Sequence, residues 1–144
     1  AIIGVLNDCE IAHLEKRKFN TLSGGEQRRV HFARSLIQLW RESGNKDSRY
    51  LMLDEPTSNL DLSHQIKLMN MLKKLANDGV GILLILHDLN LAFNFSDYIA
   101  IIKNGKLFAY DKPLNIINKN ILEDVFELTF NVDIIDNKIN VNYI

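Results

Sequence analysis

The spacing of apolar residues predicts a long amphipathic helix in the first third of the chain. Val30, Ala33, Ile37 and Trp40 recur at intervals of three and four, which places them on one helical face. The polar run over residues 41–49 contains a glycine and predicts a loop. Nearer the N-terminus, residues 2–14 also show helical spacing of apolar positions. These positions are Ile2, Val5, Leu6, Cys9 and Leu14.

Two continuous apolar runs, residues 50–54 and 80–86, predict buried strands of a parallel sheet. Pro56 follows the first run and stops it from pairing further. A helix over 62–77 separates the two strands, and Gly79 suits a left-handed helix end. The predicted inward face of that helix consists of Ile66, Met69, Leu72 and Ala76. The strand–helix–strand order indicates an α/β fold with a parallel sheet.

Short elements are predicted in the last third of the chain. The Asn104-Gly105 dipeptide lies between two runs, 98–102 and 106–110, and indicates a β-hairpin. Trp40 and the phenylalanines are predicted to lie in the core. The other predicted elements are a helix near 89–95, helical pieces over 113–118 and 120–128, and a second hairpin with strands over 132–135 and 139–143.

Composition excludes several classes of protein. The chain has 144 residues and a net charge of -1, so it has no basic field for nucleic acid or anionic lipid. Its single cysteine, Cys9, excludes an internal disulfide, fits a reducing cytosol and is predicted to be a small buried residue. The apolar run over 80–86 is far shorter than the ~20 residues of a membrane helix. No signal peptide is apparent at the N-terminus, which we interpret as an arbitrary start.

The segment from Leu22 to Glu26 carries candidate phosphate chemistry. A helix N-terminus leaves amide groups unpaired and carries partial positive charge, so it favours anions. Gly24 and Gly25 allow a phosphate to approach the backbone, and Ser23 adds a hydroxyl donor. The simpler alternative is a capping box between Ser23 and Glu26, which needs no ligand.

Two carboxylates end the first predicted strand. The strand places Asp54 at the carboxyl edge of a parallel sheet, where ligands bind in open α/β folds. A carboxylate oxygen at that edge is a suitable ligand for Mg²⁺. Glu55 is placed to polarise an attacking water as a general base. The alternative is a solvated acidic turn. His87 follows the second predicted strand and is expected beside Asp54 if the two strands are neighbours; a lone histidine there is otherwise structural.

Four motifs in order resemble the ATP-binding subunits of ABC transporters. LSGGE (22–26) resembles the ABC signature, LMLDE (51–55) resembles Walker B, Ser58–Asp61 resembles the D-loop, and His87 resembles the switch histidine. None of the seven glycines begins the P-loop pattern G-x-x-x-x-G-K-[ST]. The resemblance therefore implies the C-terminal part of a longer ATPase, with a partial P-loop NTPase-like core, part of the helical subdomain and C-terminal hairpins.

The resemblance implies ATP and Mg²⁺ as ligands. It assigns the γ-phosphate of the opposite protomer to Ser23, Gly24, Gly25 and Glu26. It assigns Mg²⁺ to Asp54, the general base to Glu55, the γ-phosphate contact to His87 and an interface position to Asp61. Asp61 could also simply cap the helix over 62–77, or do both. His13, His31 and His64 are interpreted as surface or packing residues without metal-ligand spacing.

The implied partners are a second ATPase subunit, paired head to tail as a homodimer, a transmembrane permease and, indirectly, a periplasmic substrate-binding protein. Nucleic acid is not an expected partner. The implied location is peripheral, on the cytoplasmic face of the plasma membrane. Three segments are expected: a signature-bearing helical segment (1–49), the Walker B to switch-histidine half of the core (50–111), and C-terminal helices with a hairpin (112–144).

The expected substrate is haemin or a related iron chelate. Four stretches of the sequence are similar to the ATPases of such importers. They are the residues from Ala33 to Trp40, the polar run over 41–49, residues 86–92 and the C-terminal tail. Alternatives are another substrate (a siderophore or cobalamin), a non-transport ABC protein acting on DNA or ribosomes, or a catalytically silent dimerisation module. Without a P-loop, we expect this chain alone to hydrolyse negligible ATP.

Overall fold

The computed structural model describes residues 2–39, 47–58, 60–136 and 138–144. These form two compact units, Ala1–Leu84 and Ile85–Ile144. The helices are α1 (Ile2–Asp8), α2 (Gly24–Gln38), α3 (Leu62–Asn77), α4 (Leu89–Phe95), α5 (Pro113–Ile116) and α6 (Lys119–Phe126). The strands are β1 (Arg49–Asp54), β2 (Val80–Ile85), β3 (Ile99–Lys103), β4 (Lys106–Asp111), β5 (Phe130–Ile135) and β6 (Lys138–Tyr143). Single 3-10 turns lie at Ala12–Leu14 and Phe19–Thr21.

The predicted α/β order of the first unit is confirmed. Strands β1 and β2 are neighbours in one sheet, and α3 connects them. Helix α2 begins at the two glycines as predicted, with Ala33 buried on its inward face. Trp40, predicted on the same face, lies outside the described residues, as do 41–46 of the predicted loop.

The prediction that both strands of this sheet are buried is wrong. Only Leu51 of β1 is fully buried, whereas Tyr50 and Met52 are each 73% exposed. In β2, Leu83 and Ile85 are more than half exposed. The described residues cover one face of this pair of strands, so alternate side chains face solvent. An apolar run does not by itself tell whether one or two layers cover a strand.

One apolar position of helix α3 was also misassigned. Helix α3 has the predicted bounds, but Leu68, Met69 and Leu72 are its buried residues, and Ile66 is exposed. Ile2 of α1 is exposed as well, whereas Cys9 is buried as predicted. Spacing defines a stripe about 100° wide, and the packing partners decide which edge of that stripe is covered. Helix α1 ends before the predicted residue 14 and is followed by a 3-10 turn.

The second unit contains both predicted hairpins. β3 pairs with β4 in antiparallel register, and Asn104 and Gly105 both have positive φ, as the two-residue turn requires. β5 pairs with β6, from Phe130 opposite Tyr143 to Ile135 opposite Lys138. The turn residue Asn137 lies outside the described residues.

One apolar cluster forms the core of the second unit. Leu122 of α6 is completely buried within it. The prediction that the phenylalanines are core residues holds for Phe93 and Phe130, but Phe19, Phe108 and Phe126 are exposed. The buried members of the cluster are Phe93, Ile101, Ile116, Leu122, Phe130, Ile139 and Val141.

Side chains of α4 cover the open edge of β6. Asn94 Nδ2 donates to Ile139 O (2.6 Å), and Ile139 N donates to Asn94 Oδ1 (3.0 Å). Asn90, one turn earlier on α4, makes the same pair of bonds with Val141. The two amides therefore satisfy backbone groups that would otherwise remain unpaired at a sheet edge.

None of the helices in the described part of the chain is long and apolar enough to cross a bilayer.

Candidate functional site

Helix α2 begins at the candidate phosphate-binding turn, and Ser23 is its N-cap. Ser23 Oγ accepts a hydrogen bond from Glu26 N (3.4 Å), and Ser23 N donates to Glu26 Oε2 (2.7 Å). This is the capping box that the sequence offered as the alternative. The hydrogen bond from the Ser23 backbone holds the pKa of the Glu26 carboxyl below its usual range. A hydrogen bond from the Ser23 side chain to the same carboxylate lowers that pKa further.

The two glycines of this turn have no packing role among the residues that the structure describes. A Cβ added to Gly24 or Gly25 would meet no atom within 4 Å, and neither residue has positive φ. Glycine in a helix costs roughly 0.5–1 kcal/mol relative to alanine. Within the described residues nothing offsets that cost. The N–H groups of Gly24 and Gly25 belong to the first helical turn, which has no intrahelical acceptors. They remain open to an external anion.

The carboxylates Asp54 and Glu55 lie where β1 ends. Asp54 is the last residue of β1 and is exposed. Glu55 has a φ of 45°, in the left-handed region that a non-glycine residue seldom adopts. The following turn is closed by a bond from Ser58 N to Glu55 O (3.1 Å). Such backbone strain is typical of functional sites, because the surrounding structure must hold it in place.

Asp61 caps helix α3, as the simpler sequence interpretation allowed. Its carboxylate accepts from His64 N (3.0 Å), from His64 Nδ1 (2.9 Å) and from Ser63 Oγ (2.9 Å). These bonds, above all the backbone bond from His64, lower the pKa of Asp61 to about 2. Asp61 therefore remains ionised at neutral pH. Asn59, within the same motif, lies outside the described residues.

His87 lies in the second unit, just after β2. It is exposed, and Asp88, the next residue, caps helix α4 through a bond from Leu91 N (3.0 Å). The strands that precede Asp54 and His87 are neighbours, as the sequence prediction required.

A pocket of about 400 Å³ lies beside the two carboxylates in the first unit. Asp54 and Glu55 line it together with apolar side chains of α2 and α3, such as Phe32 and Met71. Cys9 also lines the pocket, and burial raises the pKa of its thiol to about 11, so the thiol is protonated and unreactive at neutral pH. The Nε atom of Arg29 is buried near this pocket without a hydrogen-bond partner among the described residues.

Sequence reasoning missed a group of charged residues around Ser58 and Asp61. Arg28 Nη1 donates to Ser58 O (2.8 Å). His64 was interpreted as a surface or packing residue, yet its Nε2 lies 3.3 Å from a carboxylate oxygen of Glu10. For His64 the available signal was its position three residues after a helix N-cap. No local pattern links Glu10 or Arg28 to this segment.

The donor set fits Mg²⁺ held largely by a ligand. Among residues 2–39, 47–58, 60–136 and 138–144, no three His, Cys, Asp or Glu side chains cluster as metal ligands. Mg²⁺ usually takes one or two carboxylates and completes its shell with water and substrate phosphates. An exposed carboxylate at a strand end, such as Asp54, is suited to that arrangement.

Comparisons with known proteins agree with these motifs. The chain is 42% identical over 131 residues to the hemin import ATP-binding protein HmuV of Rhodopseudomonas palustris, covering 90% of this chain and 49% of that protein. It is 40% identical to the protein of the same name from Bartonella henselae, covering 85% of this chain and 46% of that one. The chain thus spans about half the length of the curated relatives it matches. No family profile matches it.

Solved structures show the same fold. A putative metal-chelate type ABC transporter in an inward-facing conformation superposes with a TM-score of 0.77 over 99% of this chain and 55% of that one, at 22% identity. The ATP-binding cassette MJ0796, bound to ADP and Pi, superposes with a TM-score of 0.64 at 32% identity, over 77% of this chain and 45% of that one. Together with the sequence relatives, these matches establish that the chain belongs to the ABC ATPase family. It spans about half the length of the ATP-binding proteins that it matches.

Proposed function

We propose that the whole protein is the ATP-binding subunit of an importer for haemin or a related iron chelate, and that it hydrolyses ATP to drive uptake. The observation that carries the proposal is the 42% identity to hemin import ATP-binding proteins, over a stretch that includes all four motifs. The likeness to a metal-chelate type transporter structure supports the fold of an ABC ATPase.

The turn at Ser23 is proposed to bind the γ-phosphate of ATP held by a second subunit. Gly24 and Gly25 support this role, because nothing inside the described chain requires glycine at either position. Each open N–H group is a hydrogen-bond donor at the positive end of the helix dipole. Glu26 is already engaged with Ser23, so we propose that it holds the turn in shape while the backbone contacts the phosphate.

Asp54 and Glu55 are proposed as the magnesium ligand and the general base. When bound, Mg²⁺ would neutralise charge on the phosphate oxygens. Glu55 would accept a proton from the attacking water, a contribution of roughly 10²–10⁴-fold in rate. The strained backbone at Glu55 supports this assignment, because the φ of 45° fixes the direction in which the Glu55 side chain leaves the end of β1. His87 is proposed to donate a hydrogen bond to the γ-phosphate.

Asp61 is proposed to contribute to a head-to-tail interface with a second ATPase subunit. Its ionised carboxylate is largely exposed while it caps α3, which leaves it accessible to a partner. A transmembrane permease is the proposed membrane partner, and a periplasmic binding protein would deliver the substrate. The subunit would then be peripheral, on the cytoplasmic face of the membrane.

The test is substrate-stimulated ATP turnover by the whole protein, reconstituted with a candidate haemin permease. We expect haemin, presented on its binding protein, to stimulate phosphate release and to accumulate inside vesicles. Glu55→Gln should abolish both readouts while ATP binding persists. Stimulation by a siderophore or cobalamin but not haemin would retain the ATPase and replace the substrate. ATP turnover that depends on nucleic acid or ribosomes would refute the transport function.

A further inference from the structure

Two charged groups from the signature-bearing half of the first unit are linked to the ends of the segment Ser58–Asp61. Arg28 bonds directly to Ser58, and Glu10 is linked to Asp61 through His64. Arg28 approaches from helix α2, and Glu10 approaches from the turn after α1. Helix α1 packs beside α2, so both groups belong to elements around the signature turn. Residues 2–39, which include Gly24, therefore contact Ser58 directly and reach Asp61 only through the ring of His64.

The first contact is made by Arg28. Its Nη1 lies 2.8 Å from Ser58 O and 3.5 Å from Ser58 Oγ. Arg28 lies four residues after Gly24, about one helical turn and roughly 6 Å along the helix axis. One charge-assisted hydrogen bond, a strong class of bond, therefore joins the first turns of α2 to Ser58.

The second contact runs through His64. Its Nδ1 lies 2.9 Å from Asp61 Oδ1, and its Nε2 lies 3.3 Å from Glu10 Oε2. Glu10 is held in turn by Lys67 Nζ at 2.6 Å. The backbone of Glu10 has a φ of 55°, which places it in a strained turn directly after α1. That turn directs the carboxylate of Glu10 toward two side chains of α3.

We propose that Arg28 and Glu10 are positioning residues that hold the two ends of this segment, Ser58 and Asp61, in register with the signature-bearing helix of the same subunit. The inference rests on the proposed function, because it concerns the placement of Asp61 for ATP hydrolysis. A phosphate bound at Gly24 would then influence Asp61 within one chain, through Arg28 and Ser58.

The experiment uses the whole protein and two readouts. The first is amide hydrogen exchange at Ser58 and Leu60, whose N–H groups bond to Glu55 O and Thr57 O, without nucleotide. We expect Arg28→Ala and Glu10→Gln to speed exchange there about threefold to tenfold, the range of a modest polar contact. The matched controls are Arg34→Ala on the exposed side of α2 and Glu15→Gln, which should leave exchange unchanged.

The second readout is steady-state ATP hydrolysis. Arg28→Ala should lower kcat about fivefold with little change in KM, because a positioning contact acts mainly in the transition state. Arg28→Lys, which still donates to a carbonyl, should recover part of the loss. In an Asp61→Ala background, Arg28→Ala should have almost no further effect, since both changes act through the same segment.

Three results would overturn the proposal: exchange no faster than in Arg34→Ala, a kcat equal to that of the wild type, or a full additional loss in the Asp61→Ala background. A wild-type protein without ATP turnover would instead refute the proposed function. In that case the hydrogen-exchange measurement would still decide whether Arg28 and Glu10 hold this segment in place.

Discussion

Asn90 and Val141 exchange two hydrogen bonds, as if the asparagine side chain were the backbone of a neighbouring strand. Asn90 Nδ2 donates to Val141 O (3.0 Å), and Val141 N donates to Asn90 Oδ1 (2.8 Å). Asn94 repeats the arrangement at Ile139. Helix α4, which follows His87 in the chain, thereby covers the edge of the C-terminal hairpin.

We expect Asn90→Ala to lower the free energy of unfolding by about 1–3 kcal/mol, because it leaves the buried backbone groups of Val141 without partners. Urea-induced unfolding measures this loss. The control is Asn142→Ala, whose side chain is exposed on β6 and should change stability by less than about 0.5 kcal/mol. Equal effects of the two substitutions would mean that the amide bonds do not support the edge.

Replacement of Leu122 by alanine should destabilise the second unit by about 2–5 kcal/mol, because Leu122 is fully buried and its removal leaves a cavity. Ile134→Ala, at a position 51% exposed, should cost far less. The measurement is again urea unfolding, followed by the near-ultraviolet signal of the unit's tyrosines. A small loss for Leu122→Ala would contradict the position of the core.

Gly79→Ala should cost about 1 kcal/mol, because the φ of 83° at this helix end is unfavourable for any residue with a Cβ. Gly4→Ala is the matched opposite: it lies within α1, a Cβ there meets no atom within 4 Å, and a gain of about 0.4–1 kcal/mol is expected. Thermal unfolding of both variants tests the pair. A stabilising Gly79→Ala would show that this turn relaxes without glycine.

Acid should weaken the α3 cap through Asp61. Its folded pKa, about 2, lies below the ordinary value of 3.8, so its contribution to stability is complete above about pH 4 and is lost as the pH falls toward 2. Asp61→Asn retains a capping acceptor but cannot titrate, so its loss of stability between pH 4 and 2 should be shallower. Asp133→Asn, exposed on β5, is the control. The same acid slope in all three proteins would refute the assignment.

This 144-residue chain alone should release negligible phosphate from ATP, because the P-loop pattern is absent from it and phosphoryl transfer depends on positioned phosphate contacts. Phosphate release is compared with that of the chain carrying Glu55→Gln. Turnover that persists equally in both would indicate a contaminating ATPase. Turnover above background that Glu55→Gln removes would show that the prediction is wrong.

The sequence alone determined the family, the order of elements and the local turns. The motifs at Leu22–Glu26 and Leu51–Glu55 act through backbone and side chains within a few residues, so their chemistry is visible in short stretches of sequence. Asn104-Gly105 predicted its hairpin and Gly79 its helix end for the same reason, since positive φ is a local requirement. The bounds of α3 and α4 followed from apolar spacing and caps.

Only the tertiary structure decided which apolar faces are covered and which distant polar groups meet. The apolar run predicts that Tyr50 and Met52 are core residues, but both are exposed. The reason is that burial of a strand depends on the layer that another part of the protein packs against it. The bond from Arg28 to Ser58 spans 30 residues, and that from Asn90 to Val141 spans 51. Such pairs leave no periodic trace in the sequence, because they arise where the chain path brings two elements together.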